Sequence, residues 1–341
     1  MPDTKPDLKR ISISDVAKAA GVSTTTVSRV VNKIPSVTEE NRKKVFEAIR
    51  KFNYRPNPNA QRLAAGHSNT IGLIIPRYEG IFHSFFAMQV IKGIGMYAER
   101  TRFDLLLHIT DGESFPAPSA VDGVIFLDIY GCEDLLDRAI DDQMRIVVLN
   151  HYLEDLPINC VAIDNKTAAQ HAVDYLVKLG HKEIGTITGD RKTQAGLERL
   201  DGFITAMKAH SLPVKDDYVQ YADFGLPSAR AGIDALLKLK SPPTALFVAS
   251  DDMALEVIQV ATNKGVRVPE ELSVIGFDDA PSAAQARVPL TTIRQPLDEM
   301  GRQAMHILTQ QILGKKRSPT KLFLPTQLIE RQSCRQTWLE R

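Results

Sequence analysis

Between Val22 and Asn32 the chain reads VSTTTVSRVVN, and five of these eleven residues carry a small hydroxyl: Ser23, Thr24, Thr25, Thr26 and Ser28. Such hydroxyls exchange hydrogen bonds with base edges and phosphates, and a threonine methyl can touch a thymine methyl. Arg29 follows, and its fork of donors suits a bidentate contact to guanine. The chemistry on offer is nucleic-acid recognition. Adjacent acids raise a different possibility, since Asp251–Asp252 and Asp278–Asp279 could serve acid–base or metal chemistry. Taken as strand neighbours, the two acids of a pair point to opposite faces and are not expected to converge. No glycine-rich phosphate loop, GxSxG turn or HExxH helix occurs. Cys132, Cys160 and Cys334 have no paired spacing that suits a disulfide framework or a zinc site. The expectation is a protein that is not an enzyme and needs neither metal nor cofactor.

The hydroxyl cluster needs a helix to present it, and the surrounding pattern supplies one. SDVAKAAG predicts a first helix with Ser14 as N-cap, Asp15 in its first turn and an apolar face of Val16, Ala17 and Ala20. Gly21 gives the turn, and Ser23 caps a second helix. There Val27, Val30 and Val31 share one face, while Thr24, Thr25, Ser28 and Arg29 share the other. A third helix begins after Thr38 and carries the stripe Val45, Ala48, Ile49 and Phe52, ended by Pro56 and Pro58. Two short helices around a glycine, braced by a third, describe a helix-turn-helix whose second helix enters the major groove amino end first.

Charge agrees with that placement. Residues 1–66 hold 13 basic against 6 acidic side chains, net +7, whereas the rest of the 341-residue chain holds 29 against 35, net −6. A basic head on an acidic body is the footprint of an anionic polymer partner. The polar start, MPDTKPDLKRISISD, has no apolar signal core, and no run of eighteen apolar residues suggests a membrane span. A reduced, cytoplasmic protein without membrane contact is expected.

From Thr70 onward, short apolar runs alternate with amphipathic stretches. TIGLIIP, FDLLLHI, DGVIFLDI, RIVVLNH, CVAIDN, EIGTITG, TALFVAS and SVIGFDD read as strands buried on both faces, the signature of a parallel α/β core. One connection departs from the pattern. TDGESFPAPSA, after the second run, is too short and proline-rich for a crossover helix.

These strings resemble the lactose-repressor (LacI) family of bacterial regulators. The resemblance rests on ISISDVAKAAGVSTTTVSRVVN, VTEENRKKVFEAIRKFNYRPNPNAQRLAAG, RLDGF, ASDDMALEVIQVATNKGVRVPEELSVIGFDDAP and PLTTIRQPLDEMG. It implies an α/β chain with an all-α head. A helix-turn-helix domain would span 12–58, a hinge helix and linker 59–69, and an effector-binding and dimerisation core 70–341. That core would be two doubly wound lobes, similar to periplasmic binding proteins and joined by three crossovers. The N-lobe would hold about 70–162 and 295–324, and the C-lobe about 163–293 and 325–338.

The resemblance also implies roles. Thr24, Thr25 and Arg29 would read bases, with Ser23, Thr26, Ser28, Asn32, Thr38, Tyr54 and Asn57 in backbone-contacting or supporting positions. Leu63 would wedge into the minor groove from a hinge helix, with Ala60 beneath it. Gln61, followed by Arg62, stands where the family usually has arginine. In the cleft, Arg199 and Asp278 would bind the effector, joined by Asn150, Ser250, Phe224 and Gln295. One stretch departs from the family: IPRYEGIFHSFF follows the first strand where members often carry small polar residues, and Arg77, with Tyr78 and His83, is expected to line the cleft mouth, where a cation hints at an acidic or phosphorylated effector.

The implied protein is a ligand-responsive repressor of a palindromic double-stranded operator, acting as a homodimer in the bacterial cytoplasm and, when DNA-bound, on the nucleoid. Its effector would be a small molecule of the carbohydrate class. An exported solute-binding protein would account for the body but not for the basic head. The end PTQLIERQSCRQTWLER has no leucine heptads, so a dimer rather than a tetramer is expected.

Overall fold

The computed structural model describes residues 11–31, 34–54, 67–77, 84–315 and 318–337. The chain divides into two compact units, Met1–Ser68 and Asn69–Arg341. The expectations for Asn32, Asn57, Ala60, Gln61, Arg62, Leu63, Tyr78 and His83, and with them the hinge helix, lie outside the described residues.

The first unit holds α1 (Ile13–Ala20), α2 (Thr24–Val31) and α3 (Glu39–Phe52). Its first cap differs from the expected Ser14. Ser12 is the N-cap, with its Oγ accepting from the Asp15 amide at 3.3 Å and the Asp15 carboxylate accepting from the Ser12 amide at 2.9 Å. The reciprocal pair needs the acid three residues after the cap, a spacing that Ser12 has and Ser14 lacks. Gly21 closes α1 at φ 65°, a left-handed turn that costs glycine nothing. Ser23 Oγ accepts from the Thr26 amide at 3.1 Å, and Thr38 caps α3 through the Asn41 amide at 3.4 Å. Val16, Ala17, Ala20, Val27, Val30, Val45 and Ala48 form a small buried core, with Val31, Ile49 and Tyr54 packed against it. Phe52 is half-buried at the end of α3.

The second unit alternates strands and helices: β1 (Thr70–Pro76), α4 (Phe85–Thr101), β2 (Asp104–Thr110), β3 (Gly123–Phe126), α5 (Glu133–Asp141), β4 (Ile146–Leu149) and β5 (Asn159–Ile163). It continues with α6 (Asn165–Lys178), β6 (Ile184–Ile187), α7 (Gln194–Ala209), β7 (Val219–Gln220), α8 (Leu226–Leu237), β8 (Ala245–Val248) and α9 (Asp251–Asn263). It ends with β9 (Ser273–Asp278), α10 (Pro281–Gln285), β10 (Thr291–Arg294), α11 (Leu297–Ile312), β11 (Lys321–Leu324) and β12 (Gln327–Ile329).

These strands make two six-stranded sheets, ordered β11-β5-β4-β3-β1-β2 and β12-β10-β9-β8-β6-β7. Every pairing is parallel except β10 with β12. The chain passes from one sheet to the other after β5, after β10 and after β11. Parallel order gathers the carboxyl ends of the strands at one edge of each sheet, where open α/β sheets hold ligands. Most strands are buried on both faces because helices cover them, as the continuous Val/Ile runs require. β2 is different. Between β2 and β3 the chain makes only a single 3-10 turn at Pro118–Ala120, and Leu106, Leu107 and Ile109 remain 38–45% exposed. Among the described residues no helix is long and apolar enough to cross a membrane.

Candidate functional site

In the head, α2 divides its residues by chemistry. Val27 and Val30 are buried in the three-helix core, while Ser23, Thr24, Thr25 and Arg29 are exposed and Thr26 and Ser28 are half-buried. The hydroxyls are not equivalent. Ser23 Oγ is engaged by the Thr26 amide and lies 3.0 Å from the Thr26 hydroxyl, so these two shape the helix start. Thr38 uses its hydroxyl as a cap, and Tyr54 packs into the core, where burial raises its phenol pKa. The outward surface at the amino end of α2 is therefore Thr24 and Thr25, with Arg29 further along.

In the core unit, a second site forms at the strand ends of the β6–β10 sheet. Arg199, in the second turn of α7, is only 4% exposed. Its Nε donates to Asn165 Oδ1 at 2.9 Å and its Nη1 to the Ala249 carbonyl at 2.7 Å. The guanidinium lies over the Phe277 ring at 3.7 Å and within 5.9 Å of the Phe224 ring centroid. Asp278 ends β9 and accepts from Gln295 Nε2 at 2.5 Å. Burial pushes its carboxyl up to about 6, against the opposing pull of Arg199 and the Gln295 hydrogen bond. Burial likewise pulls Arg199 down to about 10, opposed first by Asp278 and then by Glu198 and Asp251.

The acid pairs behave differently from the strand-neighbour expectation. Asp251 and Asp252 open α9 rather than lying in a strand, because Ser250 caps that helix through the Met253 amide. Asp251 turns inward and is fully buried, its pKa raised by burial and then by Asp278. Its Oδ1 accepts from the Thr292 hydroxyl at 2.6 Å and its Oδ2 from the Ala280 amide at 2.7 Å. It thus ties α9 to the turn after β9, and Gly276 leaves room for it, since a Cβ there would stand 2.3 Å from Oδ1. Asp279 is held by Arg294 at 2.6 Å and by Arg331.

The other sheet brings its own strand ends. Asn150 follows β4 and donates from Nδ2 to Asp128 Oδ2 at 2.8 Å, and Asp128 follows β3. His151 Nδ1 lies 3.9 Å from Asp128. The two sheets are joined here by a two-point bridge: Gln194 Oε1 accepts from the Tyr152 amide at 2.6 Å, and Gln194 Nε2 donates to the Tyr152 carbonyl at 3.1 Å. Tyr152 is itself seated on Phe323 of β11, ring centroids 4.6 Å apart. Backbone strain marks the same places. Asn150 (φ 60°), Phe224 (φ 66°), Asp278 (φ 124°) and Asp279 (φ 61°) all sit at positive φ. Each such residue costs about 1–3 kcal/mol and persists where surroundings enforce it, a pattern that clusters at ligand sites. The Phe224 ring is seated on Gly189, where a Cβ would lie 2.1 Å from its Cζ.

The structure thus brings Arg199, Asp278, Gln295, Phe224 and Ser250 to one set of strand ends and places Asn150 on the facing one. Arg77 is set apart. Its side chain is 64% exposed and salt-bridged to Asp111 at 2.5 Å, so its charge is already matched. Sequence reasoning passed over Asp128, His151, Tyr152 and Gln194. Asp128 carries the signal that singled out Asn150, Ser250 and Asp278: it is the first polar residue after an apolar strand run. Tyr152 and Gln194 pair across 42 positions, and no local pattern announces them.

Comparison with known proteins follows the same division. Residues 12–57 match the family described as bacterial regulatory proteins, lacI family, and residues 173–334 match the periplasmic binding protein-like domain. The chain is 32% identical over 329 residues to the probable HTH-type transcriptional repressor ExuR of Bacillus subtilis (strain 168), covering 95% of this chain and 98% of that one. It is 34% identical over 332 residues to the HTH-type transcriptional repressor CytR of Escherichia coli (strain K12), covering 95% and 96%. Among solved structures, a lac repressor dimer bound to operator and an anti-inducer superposes with a TM-score of 0.81 at 27% identity, covering 96% of this chain and all of that one. A complex of the transcriptional regulator CelR with cellobiose gives 0.72 at 30% identity, covering 95% and all of that chain.

Proposed function

The chain belongs to the LacI family of bacterial regulatory proteins, and from that premise we propose that it is a repressor whose grip on a palindromic operator is set by a small effector in the cleft. The observation that carries this reading is the division of α2, whose Val27 and Val30 are locked into the head's core while Thr24, Thr25 and Arg29 face outward. A helix so anchored presents its amino end to a major groove. Two copies related by a two-fold axis would engage the two half-sites of a palindrome, which is the reason for proposing a homodimer.

The domain reading follows the sequence expectation: a head over 12–58, a hinge helix and linker over 59–69 with Ala60 and Leu63 toward the minor groove, and an effector-binding core over 70–341. Ser23, Thr26, Ser28, Asn32, Thr38, Tyr54 and Asn57 support Thr24, Thr25 and Arg29. In the cleft, Arg199, Asp278, Gln295, Asn150, Ser250 and Phe224 hold the effector, while Arg77 belongs to the rim. Sites on opposite lobes matter because a ligand touching both stabilises one lobe orientation over another, and a ligand shifts an equilibrium only by its differential affinity. The Gln194–Tyr152 bridge marks the orientation observed here, and its two hydrogen bonds are each worth about 0.5–1.5 kcal/mol. The localisation this implies is the bacterial cytoplasm, on the nucleoid when DNA-bound.

The test is a thermal-shift screen of the full chain against sugars and nucleosides, since a ligand stabilises the state it binds. Each hit is then added to a mobility-shift titration on the palindrome nearest the protein's own gene. A hit that changes operator affinity supports the reading. Sequence-independent binding that Thr24→Ala and Arg29→Ala leave untouched overturns it.

A further inference from the structure

Asp279, next in the chain after the cleft carboxylate Asp278, is committed to arginines. Its Oδ2 accepts from Arg294 Nε at 2.6 Å and its Oδ1 from Arg331 Nη2, and only 9% of its side chain is exposed. An acid so enclosed positions its neighbours rather than meeting a ligand. Arg294 is the last residue of β10, where the chain makes its second passage between the sheets. Arg331 follows β12, which the third passage delivers, and its Nη1 donates to the Leu290 carbonyl at 2.7 Å, just ahead of β10. One side chain thus ties the turn after β9 to two of the passages between lobes. That turn is strained, with Asp278 at φ 124° and Asp279 at φ 61°, and such backbone holds only where its surroundings enforce it.

Beyond Arg294 the connection stays tight. Gln295 donates from Nε2 to Asp278 Oδ1 at 2.5 Å, and α11 begins after Pro296. α11 lies along α4 with the two backbones touching: a Cβ at Gly93 would collide with the Asp298 carbonyl, and one at Gly301 with the Val90 carbonyl. The helices run in the same direction and remain together further on, where the Tyr97 hydroxyl is 3.0 Å from His306 Nδ1 and 3.4 Å from the Thr309 hydroxyl. Elements packed this closely shift as blocks instead of deforming continuously. α4 spans 17 residues, about 25 Å at the helical rise. Just past its end, the Asp104 amide donates to the Asn69 carbonyl at 2.8 Å. Asn69 is the first residue of the core unit, and its own amide donates to Asp122 Oδ2 at 2.8 Å. Packed backbone therefore runs without a break from Asp279 to the start of the core.

We propose that Asp279 is the positioning residue of a lever, made of β10, α11 and α4, through which the state of Asp278 reaches Asn69 and so sets operator affinity. This rests on the reading of the cleft as the effector site and of the head as the operator reader. Asp279 touches neither partner. Its charge locks the turn to β10, so whatever displaces Asp278 displaces the start of α11 with it. A lever of this kind couples two sites because both bias its position.

Hydrogen exchange read by mass spectrometry on the full chain, free of ligand, tests the lever. Arg294→Met opens one arm of the clamp and leaves Arg331 on Asp279, so the buried charge stays matched. The expected result is exchange about three- to fivefold faster in residues 297–305 and 97–106, the upper scale of a half-exposed ion pair. Residues 133–144 serve as the internal reference. There α5 covers the opposite face of the same sheet from α4 and α11, off the lever, and its exchange stays at the wild-type rate. Asp279→Asn, which keeps the shape and drops the charge, gives the same pattern. Faster exchange confined to residues 273–296 would show that the clamp only braces its own sheet, and it overturns the proposal. Equal acceleration of residues 133–144 also overturns it, because the whole fold has then loosened.

A mobility-shift titration on the palindrome nearest the protein's own gene supplies the second readout. Arg294→Met changes ligand-free affinity for the palindrome by about two- to fivefold, bounded by the worth of the pair, although the head is untouched. Affinity for a scrambled duplex stays at wild type. Unchanged palindrome affinity in a variant whose residues 97–106 exchange faster overturns the link from lever to head. A wild-type chain that prefers neither duplex removes the repressor reading and the regulatory claim with it, while the exchange result still decides whether Asp279 holds the lever.

Discussion

The surface of α2 and the strand ends between the two lobes, the two sites proposed for recognition, are prepared in opposite ways. On α2 the proposed reading groups, Thr24, Thr25 and Arg29, stand in solvent. In the cleft the polar groups are already bonded to one another. Arg199 is held by Asn165 and Ala249, Asp278 by Gln295, and Asn150 by Asp128. The difference suits the partners. DNA offers many phosphates and base edges, so an exposed, adjustable face suffices once the helix is fixed. A small ligand offers few atoms, and preorganising the groups that receive it limits the ordering cost of binding.

Each of the following changes breaks one side of that contrast and spares the other. The largest effect is expected from Arg199→Met. A hydrogen bond from a charged group is worth about 1.5–3 kcal/mol, so effector affinity in calorimetry drops by at least that amount when the guanidinium is lost, while operator binding by the effector-free protein is preserved. An equal loss of both would show that Arg199 only braces the fold. Next is Arg29→Ala, expected to cost about 1–3 kcal/mol of operator discrimination, the scale of one bidentate base contact. Competition with non-cognate DNA reads this loss, and effector affinity should not move.

A smaller, graded effect comes from pH. An effector hydroxyl donating to Asp278 favours its ionised form, and burial has raised that carboxyl to about 6. Affinity is therefore flat above neutrality and falls as pH drops through about 6, by at most tenfold per unit, whereas Asp278→Asn flattens the profile. The sign for stability of the ligand-free protein is the reverse. Between 3.8 and about 6 the folded chain keeps a proton that the unfolded chain has released, so this group's contribution declines as pH rises across that window. The smallest change is Ser12→Ala, which removes the α1 cap and lowers head stability by about 1 kcal/mol in urea unfolding, with the cleft indifferent.

How far each site could be read from sequence follows from the same contrast. The head is local. Its caps, apolar faces and outward hydroxyls recur at spacings of three and four, so α2 and α3 were legible almost residue by residue. The cap of α1 was misplaced because two serines compete and only the position of Asp15 decides between them. The eight apolar runs of the core appear as strands, and the proline-rich stretch after β2 announced the missing helix. The cleft was legible only where a polar residue ends an apolar run. Asp251 was misread as a strand residue because its helix begins directly after β8, with Ser250 as cap. Gln194 and Tyr152 were invisible, since their bond depends on two lobes meeting, and nothing near either residue encodes that.

The most direct test of the account is a thermodynamic cycle between its two sites: operator affinity with and without the ligand found by the thermal screen, and affinity for that ligand with and without operator. The account predicts that each partner changes the other's affinity by the same factor, about 5- to 150-fold, as a coupling of about 1–3 kcal/mol requires. A ligand that fills the cleft, loses affinity in Arg199→Met and yet leaves operator affinity unchanged would contradict it.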